Sequence, residues 1–235
     1  MNSDLYALSL TAAALGTIHT LIGPDHYVPF VALSKARGWS AGRTALVTAL
    51  CGLGHVGSSV LLGALGIALG LVVGRLEAVE ALRGDLAAWA LIAFGLVYLV
   101  WGLRRAWRDR AHEHWHDHGE GSHCHGHAHH DGHLHVHRRP GAAVTPWVLF
   151  IVFVFGPCEP LIPLLMYPAA RHSAAGVAMV SAVFGLTTLA TMLAMVLGAR
   201  RGIEFLPAGW AERYTHALAG GSILLCGLAI QFLGL

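Results

Sequence analysis

Apolar residues gather into six long runs, at about residues 4–33, 44–73, 86–103, 145–169, 174–199 and 214–235, and polar residues fall mainly in the segments between them. A helix needs roughly 20 predominantly apolar residues to cross a bilayer, and each run is near or beyond that length. The pattern predicts six transmembrane helices, because a helix satisfies its own backbone hydrogen bonds where no water can do so. No stretch remains for a soluble domain. The first run lacks a basic leader and a small-residue cleavage site, so it is expected to stay as a helix rather than be removed as a signal peptide.

Two of the runs are broken by the same dipeptide. Helix one carries Gly23-Pro24 followed by Asp25-His26, and helix four carries Gly156-Pro157 followed by Cys158-Glu159. Proline suits the first position of a new half-helix and cannot donate to the turn before it, so both helices are expected to be interrupted there. Other landmarks recur at nearly the same separation, Gly54 with Gly185 and Gly95-Leu96 with Gly227-Leu228. A repeated unit of three helices enters the membrane from opposite sides in its two copies. The expected fold is an all-α membrane protein of six transmembrane helices in two inverted three-helix repeats, with helices one and four interrupted. Residues 1–104 form the first repeat, 105–143 a connecting loop and 144–235 the second repeat.

Charge adds an orientation. Only 12% of residues are charged, 55% are hydrophobic and the mean hydropathy is +0.60, which points away from a soluble globule. Of the fifteen Lys and Arg residues, only Arg75, Arg83 and Arg171 fall outside the segments that follow helices one, three and five. Basic residues accumulate on the cytoplasmic side, so the expected protein lies in the cell (inner) membrane with both termini outside. The net charge of +2 reflects this topology and no nucleic-acid partner; the partner is the lipid bilayer. Trp39, Trp101, Trp107 and Trp147 fit an inner aromatic belt, and Tyr6, Trp89 and Tyr167 an outer one. The sequence does not decide between a monomer and a homo-oligomer. Cys51, Cys124, Cys158 and Cys226 form no C-x-x-C pair, so a disulfide framework is not expected, and Cys51 and Cys226 read as small core residues.

Ionisable groups at membrane depth are costly and mark ion or substrate paths. The apolar runs contain His19, Asp25 and His26 in helix one, His55 in the glycine-rich face of helix two, and Cys158 and Glu159 in helix four. The bland alternative is that neighbouring helices satisfy the histidines in a packing role. In a continuous helix His19 and His26 would lie about 10 Å apart along the axis, too far for one ion, and the break changes that geometry. Thr187 and Thr188 are weaker candidates. Imidazoles with a carboxylate suit divalent first-row metals, nickel or cobalt first, and Cys158 as a ligand would tilt the preference towards zinc or copper(I). The metal ion is cargo here; no catalytic residue, resident cofactor or enzyme activity is expected.

Between helices three and four the chain places twelve of its seventeen histidines, His112, His114, His116, His118, His123, His125, His127, His129, His130, His133, His135 and His137, among acidic residues and Cys124. The tract shows no apolar period and reads as irregular without ligand, an accessory array of overlapping metal sites at the cytoplasmic face. Such an array favours export over import.

His19 to His26, together with Gly52-Leu-Gly-His-Val-Gly-Ser-Ser59, resembles the nickel/cobalt transporter families, including the NicO or RcnA type exporters and the UreH-like group. Five residues rather than four separate His19 from Asp25, a departure from the strict permease motif. The resemblance implies transport of divalent transition-metal ions through a site of histidine and carboxylate ligands. Gly156-Pro-Cys-Glu-Pro-Leu-Ile-Pro163 is similar instead to the Pro-Cys-x-x-Pro segment of CcdA/DsbD-type carriers, which implies a transmembrane thiol-disulfide electron carrier using Cys158. Such carriers use a second reactive cysteine in the matching helix, where this chain has Asp25 and His26.

Overall fold

The computed structural model describes residues 3–108, 112–117, 122–127, 144–158, 160–171, 173–204 and 211–234. The chain runs through α1 (Ser3–Ile22), a 3-10 turn (Pro24–His26), α2 (Val28–Ala36), α3 (Ala41–Ala68) and α4 (Val73–Arg108). Two short strands follow, β1 (His112–Asp117) and β2 (Ser122–His127), and then α5 (Val144–Phe155), α6 (Leu161–Ala170), α7 (Ala174–Glu204) and α8 (Ala211–Leu233).

Helix one is interrupted where proline requires it. The last bond of α1 runs from the Gly23 N–H to the His19 carbonyl, at 3.0 Å, and Pro24 has no N–H to continue the ladder. The chain then makes one tight turn, with the His26 N–H donating to the Gly23 carbonyl, before α2 restarts with Val31 donating to Tyr27. In helix four, α5 ends as Gly156 donates to Val152 at 2.9 Å, and α6 begins as Leu161 donates to the Cys158 carbonyl at 2.9 Å. Between α2 and α3, Gly38 takes φ +60°, a left-handed conformation that glycine adopts without a Cβ clash. Ser40 then caps α3, its hydroxyl accepting from the Arg43 N–H at 3.2 Å.

Five helices, α1, α3, α4, α7 and α8, are long and apolar enough to cross a membrane, and α5 is a shorter apolar helix. The surface is inside out relative to a soluble protein. Leu46, Leu50, Leu53, Leu61 and Leu65 line the exposed face of α3, whereas Thr44, Thr48, His55 and Ser59 of the same helix are buried. Close packing comes from small residues: a methyl group at Gly95 or Gly220 would run into the backbone of Leu224 or Leu99, so α4 and α8 touch backbone to backbone. One core cluster joins Phe30, Leu33, Cys51, Phe153, Met192, Ile223 and Cys226; a second joins Ala12, Val56, Cys158, Leu161 and Phe184.

Three expectations need correction. The third apolar run begins at about residue 86, but α4 begins at Val73, because Glu77, Glu80, Arg83 and Asp85 depress hydropathy without ending the helix. The loop is not wholly irregular: β1 and β2 pair antiparallel, with His112 opposite His127, His114 opposite His125 and His116 opposite His123. Histidine at every second position is itself a strand period. Trp39 belongs to the core, at 5% exposure, rather than to an aromatic belt. His118, His129, His130, His133, His135, His137 and Glu159 lie outside the described residues.

Candidate functional site

The two helix breaks meet at α3. The break in helix one brings in Asp25 and His26, the last full turn of α1 adds His19, α3 adds His55, and the break in helix four adds Cys158. One ring nitrogen each of His19, His26 and His55 lie within 4.8 Å of one another. His26 Nε2 is 3.3 Å from His55 Nε2, and Cys158 Sγ is 3.0 Å from the same His55 Nε2. The His19 and His55 rings are nearly parallel, 6.2 Å apart, with the His26 ring standing edge-on between them, 4.7 Å from His19 and 5.0 Å from His55. His26, His55 and Cys158 are buried, at 2%, 1% and 0% exposure.

The other nitrogens define the tautomers. His26 Nδ1 faces only acceptors, Asp25 Oδ1 at 2.9 Å and the Gly23 carbonyl at 3.2 Å, so it carries the proton and donates. His55 Nδ1 likewise donates to the Phe153 carbonyl at 3.3 Å. Both Nε2 atoms are therefore left with lone pairs that point at each other. A proton on one of the two, or a cation shared by both, relieves that contact, and Cys158 Sγ stands 3.0 Å from the same His55 Nε2. His19 Nε2 is buried and has no hydrogen-bond partner. Histidines that donate one N–H to a carboxylate or carbonyl while the other nitrogen faces a shared point have the arrangement of metal ligands. Asp25, expected from the sequence as a ligand, stands with Oδ1 2.9 Å from His26 Nδ1 and lines the adjoining cavity. Glycine at both breaks makes room for the rings, since a Cβ at Gly23 would stand 2.6 Å from His26 Nδ1 and one at Gly156 3.0 Å from His55 Nδ1.

A cavity of about 560 Å³ leads away from this cluster, lined by His19, Asp25 and His26 at its inner end and by Asp85, Gln231 and Gly234 further out. It lies beside the end of α8 and the first part of α4. Just past α2, Arg37 donates to the Tyr98 hydroxyl at 3.1 Å and to Thr145 Oγ1 at 2.6 Å, with Tyr98 also 2.9 Å from His216 Nδ1.

The sequence reading missed Glu80, Arg83 and Ser59. Glu80 is fully buried and forms an ion pair with Arg83 on the same helix, and its Oε2 accepts from the Cys158 N–H at 3.2 Å. Opposite charges three residues apart on one helical face were the available signal.

A family model described as the cytochrome C biogenesis protein transmembrane region matches residues 11–229. The chain belongs to this family. Membership in the cytochrome C biogenesis transmembrane family, with the apolar helices, makes it a multi-pass membrane protein. It supports the likeness of the helix-four segment to thiol-disulfide carriers and points to a carrier of that kind; nothing in the match supports a nickel/cobalt family. Comparison with curated proteins finds no match, and comparison with solved structures finds none.

Proposed function

We propose that the protein carries a divalent transition-metal ion across the membrane through the His19, His26, His55 and Cys158 centre. The single observation behind this reading is the pair of Nε2 lone pairs held 3.3 Å apart by Nδ1 donors on both rings. Two imidazole nitrogens bound to one tetrahedral ion at about 2.0–2.1 Å would stand roughly 3.3 Å apart, the separation already present. Three nitrogens and a sulfur suit zinc, cobalt and nickel better than magnesium or calcium. Asp25 contributes its charge through His26 and offsets that of the cation, and Glu159, the residue after Cys158, is a further carboxylate for the path. The protein acts as a transporter and not an enzyme, and no resident cofactor is needed.

Six spans in two inverted repeats support alternating exposure of this centre, with α5 and α6 together as one interrupted span matching α1 and α2. The packing is consistent with such exchange: α1 on α7 has its counterpart in α5 on α3, and α2 on α7 in α6 on α3. Gly95 against Leu224 is mirrored by Gly227 against Ile92, the same spacing separating both pairs of equivalents. With the termini outside, the cavity opens outward, Arg37 and its partners lie toward the inner face, and the histidine tract collects ions at the cytoplasmic side for export.

A second reading, a thiol-disulfide electron carrier, is favoured by the family match and by Cys158 following a Gly-Pro break with its thiol on an imidazole. Oxidation of two thiols releases two electrons and two protons, so a second sulfur must join Cys158. Cys51 and Cys226 are buried in the first core cluster and Cys158 in the second. Family membership speaks for this reading and the donor set of the centre for the first. Purified His26→Ala, Asp25→Asn and Cys158→Ser proteins decide between them in vesicle transport and thiol-exchange assays. Metal carriage requires the first two to abolish flux in folded protein while Cys158→Ser retains flux or shifts selectivity. Electron carriage requires the reverse ranking.

A further inference from the structure

A break in a membrane helix strands backbone groups of both polarities where no water can reach them. In an unbroken helix the Cys158 N–H would donate to the Val154 carbonyl and the Gly156 carbonyl would accept from residue 160, which is a proline without an N–H. α4 supplies the missing partners from outside. Arg83 donates to the Val154 carbonyl at 2.8 Å and to the Gly156 carbonyl at 3.4 Å. Glu80 Oε2 accepts from the Cys158 N–H at 3.2 Å, and Ser59 Oγ shares that N–H at 3.3 Å. The guanidinium also reaches Ser58 Oγ at 2.7 Å, which ties α3 to the same clamp. One ion pair thus stands in for the lost helical turn, and the residue it holds by the backbone is the one whose sulfur meets His55 Nε2.

We propose that Glu80, with Arg83 as its counter-charge, is the positioning residue that aims the Cys158 thiol into the imidazole cluster and so adds sulfur to the ligands of the transported cation. This rests on the metal reading for the role of the sulfur, but the positioning itself stands on the hydrogen bonds alone. Glu80 acts on Cys158 through the Cys158 N–H. A buried charge left alone is strongly destabilising, whereas replacing both members of a pair by apolar residues of similar size is often tolerated. That contrast makes the test possible.

The full chain is prepared with Cys51, Cys124 and Cys226 replaced by alanine, so that Cys158 is the sole thiol, and is loaded with cobalt(II). Thiolate-to-cobalt charge-transfer absorption in the near ultraviolet then reports the cobalt–sulfur bond regardless of any cobalt on the loop histidines. The parent protein should show the band. Glu80→Gln, which keeps an acceptor oxygen but not the charge, should lower it about twofold per site; Glu80→Leu with Arg83→Met should lower it at least fivefold. Alkylation of Cys158 by a small uncharged reagent in metal-free protein should accelerate in the same order, as the thiol leaves the cluster. A folded double variant with the full band and the parent alkylation rate overturns the proposal. If the double variant does not fold, Glu80→Gln decides alone, and parent values in both measurements overturn it. A parent without any thiolate band overturns the metal reading instead, and the alkylation rates still judge the positioning.

Discussion

Gly23 has φ −76° and ψ 101°, a conformation open to any residue, so the backbone does not demand glycine there. Space does. A methyl group would stand 2.6 Å from His26 Nδ1 and 2.8 Å from Asp25 Oδ1, and ordinary contact begins at 3.4 Å, so the ring has to withdraw by 3.4 − 2.6 = 0.8 Å. A displacement of that size breaks the 2.9 Å bond between His26 and Asp25 and releases the tautomer that aims Nε2 at His55. Losing such a partner behind a metal-binding histidine typically lowers affinity about 10- to 100-fold, or roughly 1.4–2.8 kcal/mol. Gly23→Ala in the protein with Cys158 as its sole thiol should therefore raise the apparent cobalt(II) dissociation constant by that factor, read from the thiolate charge-transfer band. Gly57→Ala serves as the control, because a Cβ at Gly57 meets nothing within 4 Å and lies two residues beyond His55. A Gly23→Ala protein that stays folded and binds cobalt within about threefold of the parent would refute the tautomer argument, since the same geometry predicts at least tenfold.

Three further outcomes can be checked separately. Replacing Gly220 by valine drives a side chain into the Leu99 backbone and should cost about 1–3 kcal/mol or more in detergent unfolding, an ordinary overpacking penalty concentrated at the α4–α8 contact; unchanged stability would mean that these helices are not in backbone contact. Replacing the twelve histidines of residues 112–137 by asparagine should raise the metal concentration for half-maximal flux while leaving the maximal rate intact, as expected of a tethered collecting array; loss of flux at every concentration would place the tract in the path. Cysteines introduced near either terminus should react with an impermeant reagent in intact cells while one at residue 120 does not; termini found on the same side as Lys35 and Arg43 would refute the six-helix topology.

Much of the centre was legible because hydrocarbon makes ionisable residues conspicuous. His19, His26, His55 and Cys158 each stand out from an apolar run, and the Gly-Pro dipeptides mark where the helices have to open. The geometry was less legible. Nothing in residue order says that His26 Nδ1 faces Asp25 while Nε2 faces His55, because that depends on a 3-10 turn closing over three residues and on α3 packing against both breaks. Asp25 is thereby seen to be the group that orients the His26 ring.

Glu80 and Arg83 were hidden for the opposite reason. A hydropathy window treats two charges as doubly polar, although an ion pair three residues apart on one helix is nearly neutral as a unit and can enter a protein interior that neither residue would enter alone. The pair is buried because α5 and α6 leave an N–H and two carbonyls unpartnered, and only a group offering both an acceptor and donors repairs such a gap. The break at Gly156-Pro157 and the charges at the start of α4 are therefore one feature written in two places. Where a membrane helix carries Gly-Pro followed by a second proline, an opposite-charge pair on another helix that looks too polar to be buried is a candidate for the missing turn. Here that turn carries the only sulfur at the centre among the described residues, so the polarity of α4 and the placement of that sulfur beside His55 are physically connected.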